Sequence, residues 1–391
     1  MALADRWLLP EGVQELLPPQ ARRVEELRRR LLDLYEYWGY DLVMPPVMEH
    51  LESLLTGVGH DLDLNTIKVT DQLSGHTLGV RADITPQVAR IDAHRLRESG
   101  ATRLCYCGSV VHALPAQPLA SRNPLQLGAE LYGHSGIESD VEVISLMIET
   151  LQTAGVNQEL SLDLGHVGVF TGLMQTAGLT SEQQELYQDM LKRKALPELQ
   201  DFVAALDADE VTRKYLGELP KLNGGVDVLA RASELFADAP QQVAEAIAYL
   251  KQISERVALR FPELDQYFDL SELRGYNYHT GIVFAAYTPA FGQAIAKGGR
   301  YDEIGRDFGR ARPATGFSTD MKTLVELSSD EEVSIDQVLA PAEEDEALLT
   351  KVKQLRSEGV RVIYALPGAE SATDCTSELV KRDGEWIVSD L

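Results

Sequence analysis

The chain has 391 residues, room for two domains or one large elaborated one, and its ordinary charged and apolar fractions exclude a disordered or low-complexity protein. A formal net charge of −25 sets a repulsive average field against any polyanion, screened only beyond roughly 8 Å, which weighs against a general nucleic-acid binder. No run approaches the roughly 20 apolar residues of a membrane span and no N-terminal segment resembles a signal peptide, so a cytoplasmic protein that does not meet a membrane is expected.

In chain order, Val24, Leu27, Leu31, Leu34, Tyr35 and Trp38 recur at three and four residues, and Gly39 follows as a stop, which predicts an amphipathic helix over 21–38. Its arginines, Arg22, Arg23 and Arg28 to Arg30, are interleaved with Glu25 and Glu26 and read as a solvated face. The stretch 40–50 reads as a strand bent at Pro45 and Pro46. Residues 67–86 make a hairpin around Ser74 and Gly75, and 103–115 with 124–133 give two more strands. Ser139 and Glu142 form a capping-box pattern ahead of Val141, Ile144, Met147, Ile148 and Leu151, so a helix follows. From Thr180 to Phe261 the chain is helical in character, a helical insertion of about 175–262 between β-rich blocks. Strands resume at Tyr267, at Gly281 to Tyr287 and at Gln293 to Gly299, before a helix around Met321 to Leu327.

The acidic segment Ser328 to Ser334 marks a boundary, giving a main domain of 1–327 and a small domain of 328–391 with a helix, a strand and a hairpin turning at Asp383 and Gly384. Strands clustered into hairpins rather than alternating with helices argue for an α+β class with an antiparallel sheet flanked by helices.

Several charged residues stand in these strands where a core is expected: Asp83 with Thr85, Gln126 with Glu130, and Arg274 with Tyr276, Tyr278 and His279 on one run leading into Gly281 to Tyr287. Two carboxylates, a guanidinium and neutral hydrogen-bonding groups are the complement of an amino-acid zwitterion, because a carboxylate takes an ammonium and arginine forks a carboxylate. The same groups would also serve as an internal Arg–Glu ion pair, and spacing alone does not bring the three regions together. "KGGRYD", Lys297 to Asp302, reads either as a tight Gly-Gly turn at a strand end or as backbone amides open to an anion. Cys105 and Cys107 share a strand face and read as small buried hydrophobes, and no Cys or His cluster at zinc spacing accompanies them, so neither a metal nor a cofactor is expected.

"GYDLVMPPVMEH", "VRADITP", the run Tyr106 to Glu130, "LRGYNYHTGIVF" and "KGGRYD" with "GFSTDMKTL" resemble, in order and spacing, the core of class II histidyl-tRNA synthetases over most of residues 10–327. Where that family carries the arginine on the ATP α-phosphate this chain has His112, where it reads adenine with glutamate it has Leu114, and its late ATP-gripping arginine is Thr323. Each lost contact of that kind costs on the order of 3 to 4 kcal/mol of transition-state stabilisation, so adenylation is not expected. The resemblance implies a histidine pocket of Asp83, Thr85, Gln126, Glu130, Arg274, Tyr278 and His279. Asp83 replaces a glutamate there and His279 a tyrosine that touches the imidazole.

Only 64 residues follow Leu327, short for an anticodon-binding domain of roughly 100 residues. A retained pocket with lost ATP and tRNA parts resembles the regulatory subunits of ATP phosphoribosyltransferase, which "GRARPATGFS" also resembles. That resemblance implies a non-catalytic chain that dimerises through its synthetase-like core and joins a separate short-form catalytic subunit in a hetero-oligomer, with an octamer expected. L-histidine would be its ligand, with no tRNA bound. The rival readings are an active histidyl-tRNA synthetase and a free-standing histidine sensor.

Overall fold

A computed structural model of the chain describes residues 7–56, 60–115, 120–156, 159–272, 278–329, 337–368 and 375–391. The chain divides into two compact units, Met1–Asp330 and Glu331–Leu391.

The first unit opens with helix α1 (Gln20–Tyr37), whose buried residues Val24, Leu27, Leu31 and Tyr35 follow the spacing read from the sequence. Strands β1 (Asp41–Leu42) and β2 (Met48–His50), helices α2 (Leu51–Leu54) and α3 (His60–Asn65), and strands β3 (Ile67–Thr70) and β4 (Thr77–Val80) come next, then α4 (Thr85–Arg90), which runs into a π-helical turn, Ile91–Leu96. After β5 (Thr102–Ser109) and β6 (Leu125–Tyr132) come α5 (Ile137–Thr153), β7 (Ser161–His166) and α6 (Val167–Thr176). The helical insertion is α7 (Ser181–Lys192), α8 (Leu196–Ala205), α9 (Glu210–Glu218), the short strand β8 (Asn223–Gly224), α10 (Asp227–Leu235) and α11 (Gln241–Arg260). The unit closes with β9 (Asp265–Asp269), β10 (Ile282–Thr288), β11 (Phe291–Arg300), β12 (Ala314–Asp320) and α12 (Met321–Leu327).

Nine of these strands form one sheet in the order β1-β5-β6-β12-β11-β10-β7-β9-β8, while β2, β4 and β3 form a small separate one. The large sheet is antiparallel except where β1 meets β5 and β7 meets β9. Alternation along its strands sorts the residues onto two faces. On β6, Leu127, Ala129 and Leu131 face the main core, which α1 and α5 cover, while Glu130 and Tyr132 face the other way. On β5, Cys105 and Cys107 belong to that core side, where burial pushes their thiols up to about 12 and about 11. Among the described residues no group of three or more side chains suits a metal ion. None of the described helices is long and apolar enough to cross a membrane.

Three local expectations fail. Helix α5 starts after Gly136 with no side-chain cap, because its capping-box residues are engaged elsewhere. Ser139 already lies inside the helix, donating to the Gly136 carbonyl at 2.8 Å and accepting from Arg300 at 2.8 Å, and Glu142 takes a two-pronged contact from Arg103 at 2.6 and 2.8 Å. The Gly298-Gly299 pair makes no turn. It lies within β11, paired on both sides by Phe284 and Val283 and by Phe317 and Gly316, with its amide hydrogens committed to a sheet rather than open to an anion. Likewise, Tyr278 and His279 precede β10 rather than belonging to a strand.

The second unit holds β13 (Gln337–Pro341), α13 (Glu346–Ser357), β14 (Arg361–Ala365), β15 (Ser377–Arg382) and β16 (Glu385–Asp390). Its sheet runs β14-β13-β15-β16 and closes a core of Val338, Leu348, Val352, Val362, Leu379 and Trp386.

Candidate functional site

The face of the large sheet opposite α1 and α5 carries a cavity of about 810 Å³. Its floor follows from strand register, since directly opposed residues share a face. One row reads Tyr106, Gly128, Ser318, Lys297, Ala285 and Asp163 across β5, β6, β12, β11, β10 and β7. The next reads Leu104, Glu130, Gly316, Gly299, Val283 and Gly165. Beside Glu130 the floor is therefore glycine. A Cβ on Gly316 would fall on the Glu130 carboxyl, and one on Gly299 would meet the His279 ring.

Glu130 is the buried centre of this site, 1% exposed. Its Oε1 accepts from the Thr85 hydroxyl at 2.9 Å and from the Tyr106 hydroxyl at 3.0 Å, and its Oε2 accepts from Tyr301. Burial pushes its pKa up to about 8, against which the hydrogen bonds from Tyr301 and Thr85 act, so the carboxyl is largely protonated at neutral pH. Burial likewise pushes the Tyr106, Tyr278 and Tyr301 hydroxyls far above their ordinary value. Tyr278 lies 5.0 Å from Tyr301 and 5.3 Å from the perpendicular His279 ring, centroid to centroid. The Tyr278 hydroxyl is out of solvent with no hydrogen-bond partner among the described residues.

Asp83 and Thr85 reach the cavity from the segment that starts α4. Asp83 Oδ1 accepts from the Thr85 amide at 3.1 Å and from Gln126 Nε2 at 2.8 Å, while Gln126 Oε1 accepts from the Ile84 amide at 2.9 Å. Gln126 thus braces Asp83 from β6 and does not itself line the cavity. The structure gathers Asp83, Thr85, Glu130, Tyr278 and His279 around one space. Arg274 lies outside the described residues. Sequence reasoning missed Tyr301, Tyr106 and Lys297. Tyr301 and Lys297 stood in "KGGRYD", which was read for its glycines alone, and Tyr106 was not singled out within the run it opens.

At its far end the cavity meets Asp163, Asp269 and Glu272 and, from the insertion, Leu191, Lys192 and Lys194. Lys194 pairs with Asp269 at 3.3 Å.

None of His112, Leu114 and Thr323, the positions where a synthetase would grip ATP, is itself a cationic side chain, although Arg122 donates from Nε to the His112 carbonyl at 2.9 Å. His112 hydrogen-bonds through Nε2 to the Ala82 carbonyl at 3.1 Å, and because a carbonyl only accepts, the ring donates its proton there. Burial pulls the pKa of that ring down. Leu114 is exposed and apolar. Thr323 points its hydroxyl at Asp320, 3.5 Å away, so a carboxyl rather than a guanidinium stands there.

Residues 12–324 match the histidyl-tRNA synthetase family pattern. A histidyl-tRNA synthetase from a Nostoc species superposes with a TM-score of 0.79 at 18% identity, covering 98% of this chain and 97% of that one, which shows the shared fold. The first unit is accordingly a class II synthetase-type core. Residues 336–389 match the pattern described as the ATP phosphoribosyltransferase subunit HisZ C-terminal domain. An ATP phosphoribosyltransferase regulatory subunit from Pseudomonas fluorescens is 55% identical over 396 residues, covering 100% of both chains. A structure from Bacillus halodurans, titled an ATP phosphoribosyltransferase regulatory subunit/histidyl-tRNA synthetase, superposes with a TM-score of 0.83 at 27% identity, covering 94% of this chain and 95% of that one. The chain belongs to the family of ATP phosphoribosyltransferase regulatory subunits.

Proposed function

We propose that the chain is a non-catalytic subunit that switches on a separate short-form ATP phosphoribosyltransferase catalytic subunit in the cytoplasm and carries histidine feedback to it. The observation that carries this reading is a site with two chemistries pulled apart. The zwitterion-complementary groups Asp83, Thr85, Glu130, Tyr278 and His279 surround one cavity, while His112, Leu114 and Thr323 stand where the resembled family holds ATP with two arginines and a glutamate. Asp83, braced by Gln126, takes the ammonium, and Glu130 with its tyrosines takes the imidazole edge. Arg274 takes the carboxylate. Residues 1–327 serve as the receptor and the dimer-forming core, 328–391 as a separate small domain, and the assembly with the catalytic subunit is a hetero-octamer that binds no tRNA.

Histidine acts as an effector only by favouring one state of the complex over another, with a coupling of roughly 1 to 3 kcal/mol typical of such sites. The test is reconstitution with the short-form catalytic subunit: the two chains co-elute, phosphoribosyl transfer rises when this chain is added, and histidine lowers it. A well-folded chain that fails to form the complex overturns the reading. Histidine-dependent exchange of pyrophosphate into ATP would establish a synthetase instead.

A further inference from the structure

An amino-acid ligand held by Asp83 and Glu130 presents its carboxylate to some third point, and strand register places a cation there. Among the described residues lining the cavity the lysines are Lys192, Lys194 and Lys297. Lys194 is bonded to Asp269, and Lys192 closes helix α7 at the far end, beside Asp163, Asp269 and Glu272. Lys297 instead rises from the sheet floor itself. It opposes Ser318 on β12 and Ala285 on β10, two small residues that leave its stem unobstructed on either side. No ion pair or hydrogen bond engages it among the described residues.

Glu130 and Lys297 stand on the two strands flanking β12, whose Gly316 and Ser318 make the floor between them. Two interstrand spacings and a two-residue step separate their backbones by roughly 12 Å. A carboxyl on one side and a four-carbon ammonium stem on the other narrow that gap to the length of one amino acid. Asp83 lines the same cavity from the segment that starts α4 rather than from the sheet, so it, Lys297 and the Glu130 carboxyl do not all stand on one strand row. A chiral zwitterion with a polar side chain needs three such points.

We propose that Lys297 binds the α-carboxylate of the amino acid whose ammonium meets Asp83 and whose side chain meets Glu130. This assignment rests on the histidine-receptor reading and adds to Arg274 a second carboxylate contact, placed by a rigid central strand. A charge-assisted contact of this kind contributes about tenfold in affinity.

The test is calorimetric titration of full-length wild type and Lys297→Met with L-histidine and with L-histidinol, which has a hydroxyl where histidine has its carboxylate. Lys297→Met is expected to weaken histidine about tenfold while histidinol binds both proteins alike. Equal histidine affinity in the two proteins overturns the assignment, and so does a loss of the same factor for both ligands. Wild type that binds histidine and histidinol equally also overturns it. Wild type that binds neither ligand overturns the receptor reading itself, which separates the two failures.

Discussion

Glu130 is held in a place that suits its neutral form. Folding raises its pKa to about 8, chiefly through burial, so the stability that its protonated form confers is fully present below the unfolded value near 4.5 and is lost as pH rises through 8. At about 1.4 kcal/mol for each tenfold change in proton affinity, the ionised carboxyl withholds several kcal/mol from the empty protein. Unfolding midpoints in urea should therefore fall between pH 5 and pH 9 in the wild type and stay flatter in Glu130→Gln. Parallel profiles for the two proteins would refute a buried, neutral Glu130. The same variant, and Arg274→Ala, should each weaken histidine by more than tenfold in a titration while the chain stays folded. Wild-type affinity in either would remove that residue from the pocket.

Strand β11 enters the cavity with Lys297 and leaves it through a buried anchor. Arg300, 6% exposed, donates from Nε to Asp140 at 3.0 Å, and Asp140, fully buried on α5, also accepts from Tyr249 on α11. One ion pair thus ties the cavity floor to the main core and to the last helix of the insertion. Removing one member of a buried pair strands the other, so Asp140→Asn should destabilise the chain by on the order of 3 kcal/mol in denaturant unfolding. A change within experimental error would mean that Asp302, 3.2 Å from Arg300, suffices alone.

Elements of this kind mark where sequence reading stops. Periodicity located α1, the β5 and β6 strands and the insertion, because those patterns arise from local burial. The α5 cap was misread because Ser139 and Glu142 answer to Arg300 and Arg103, far away in the chain. Gly298-Gly299 was misread because a glycine pair demanded by close strand packing looks the same in sequence as one demanded by a turn. Asp83, Thr85 and Glu130 stood out as polar groups in expected strands, and the resemblance gave them their roles. Their convergence depends on the β5, β6 and β12 register, which no single segment encodes.

At the scale of the whole molecule the net charge of −25 and the absence of an arginine at 112 and 323 act together. A polyanion approaching this surface meets repulsion that ordinary salt screens only in part. In a mobility-shift experiment at physiological salt, histidine tRNA should run unretarded at micromolar protein, and a salt-sensitive shift would reinstate a role in tRNA binding. The cavity's far wall belongs to helix α7 and the turn after it, through Leu191, Lys192 and Lys194, whereas its floor belongs to the central strands. Helix α7 also packs into the same core as the sheet, so the chamber's wall and floor come from distant parts of the chain that are held together. Anything that displaced α7 would change who fits within, and a tenant would resist that displacement in equal measure.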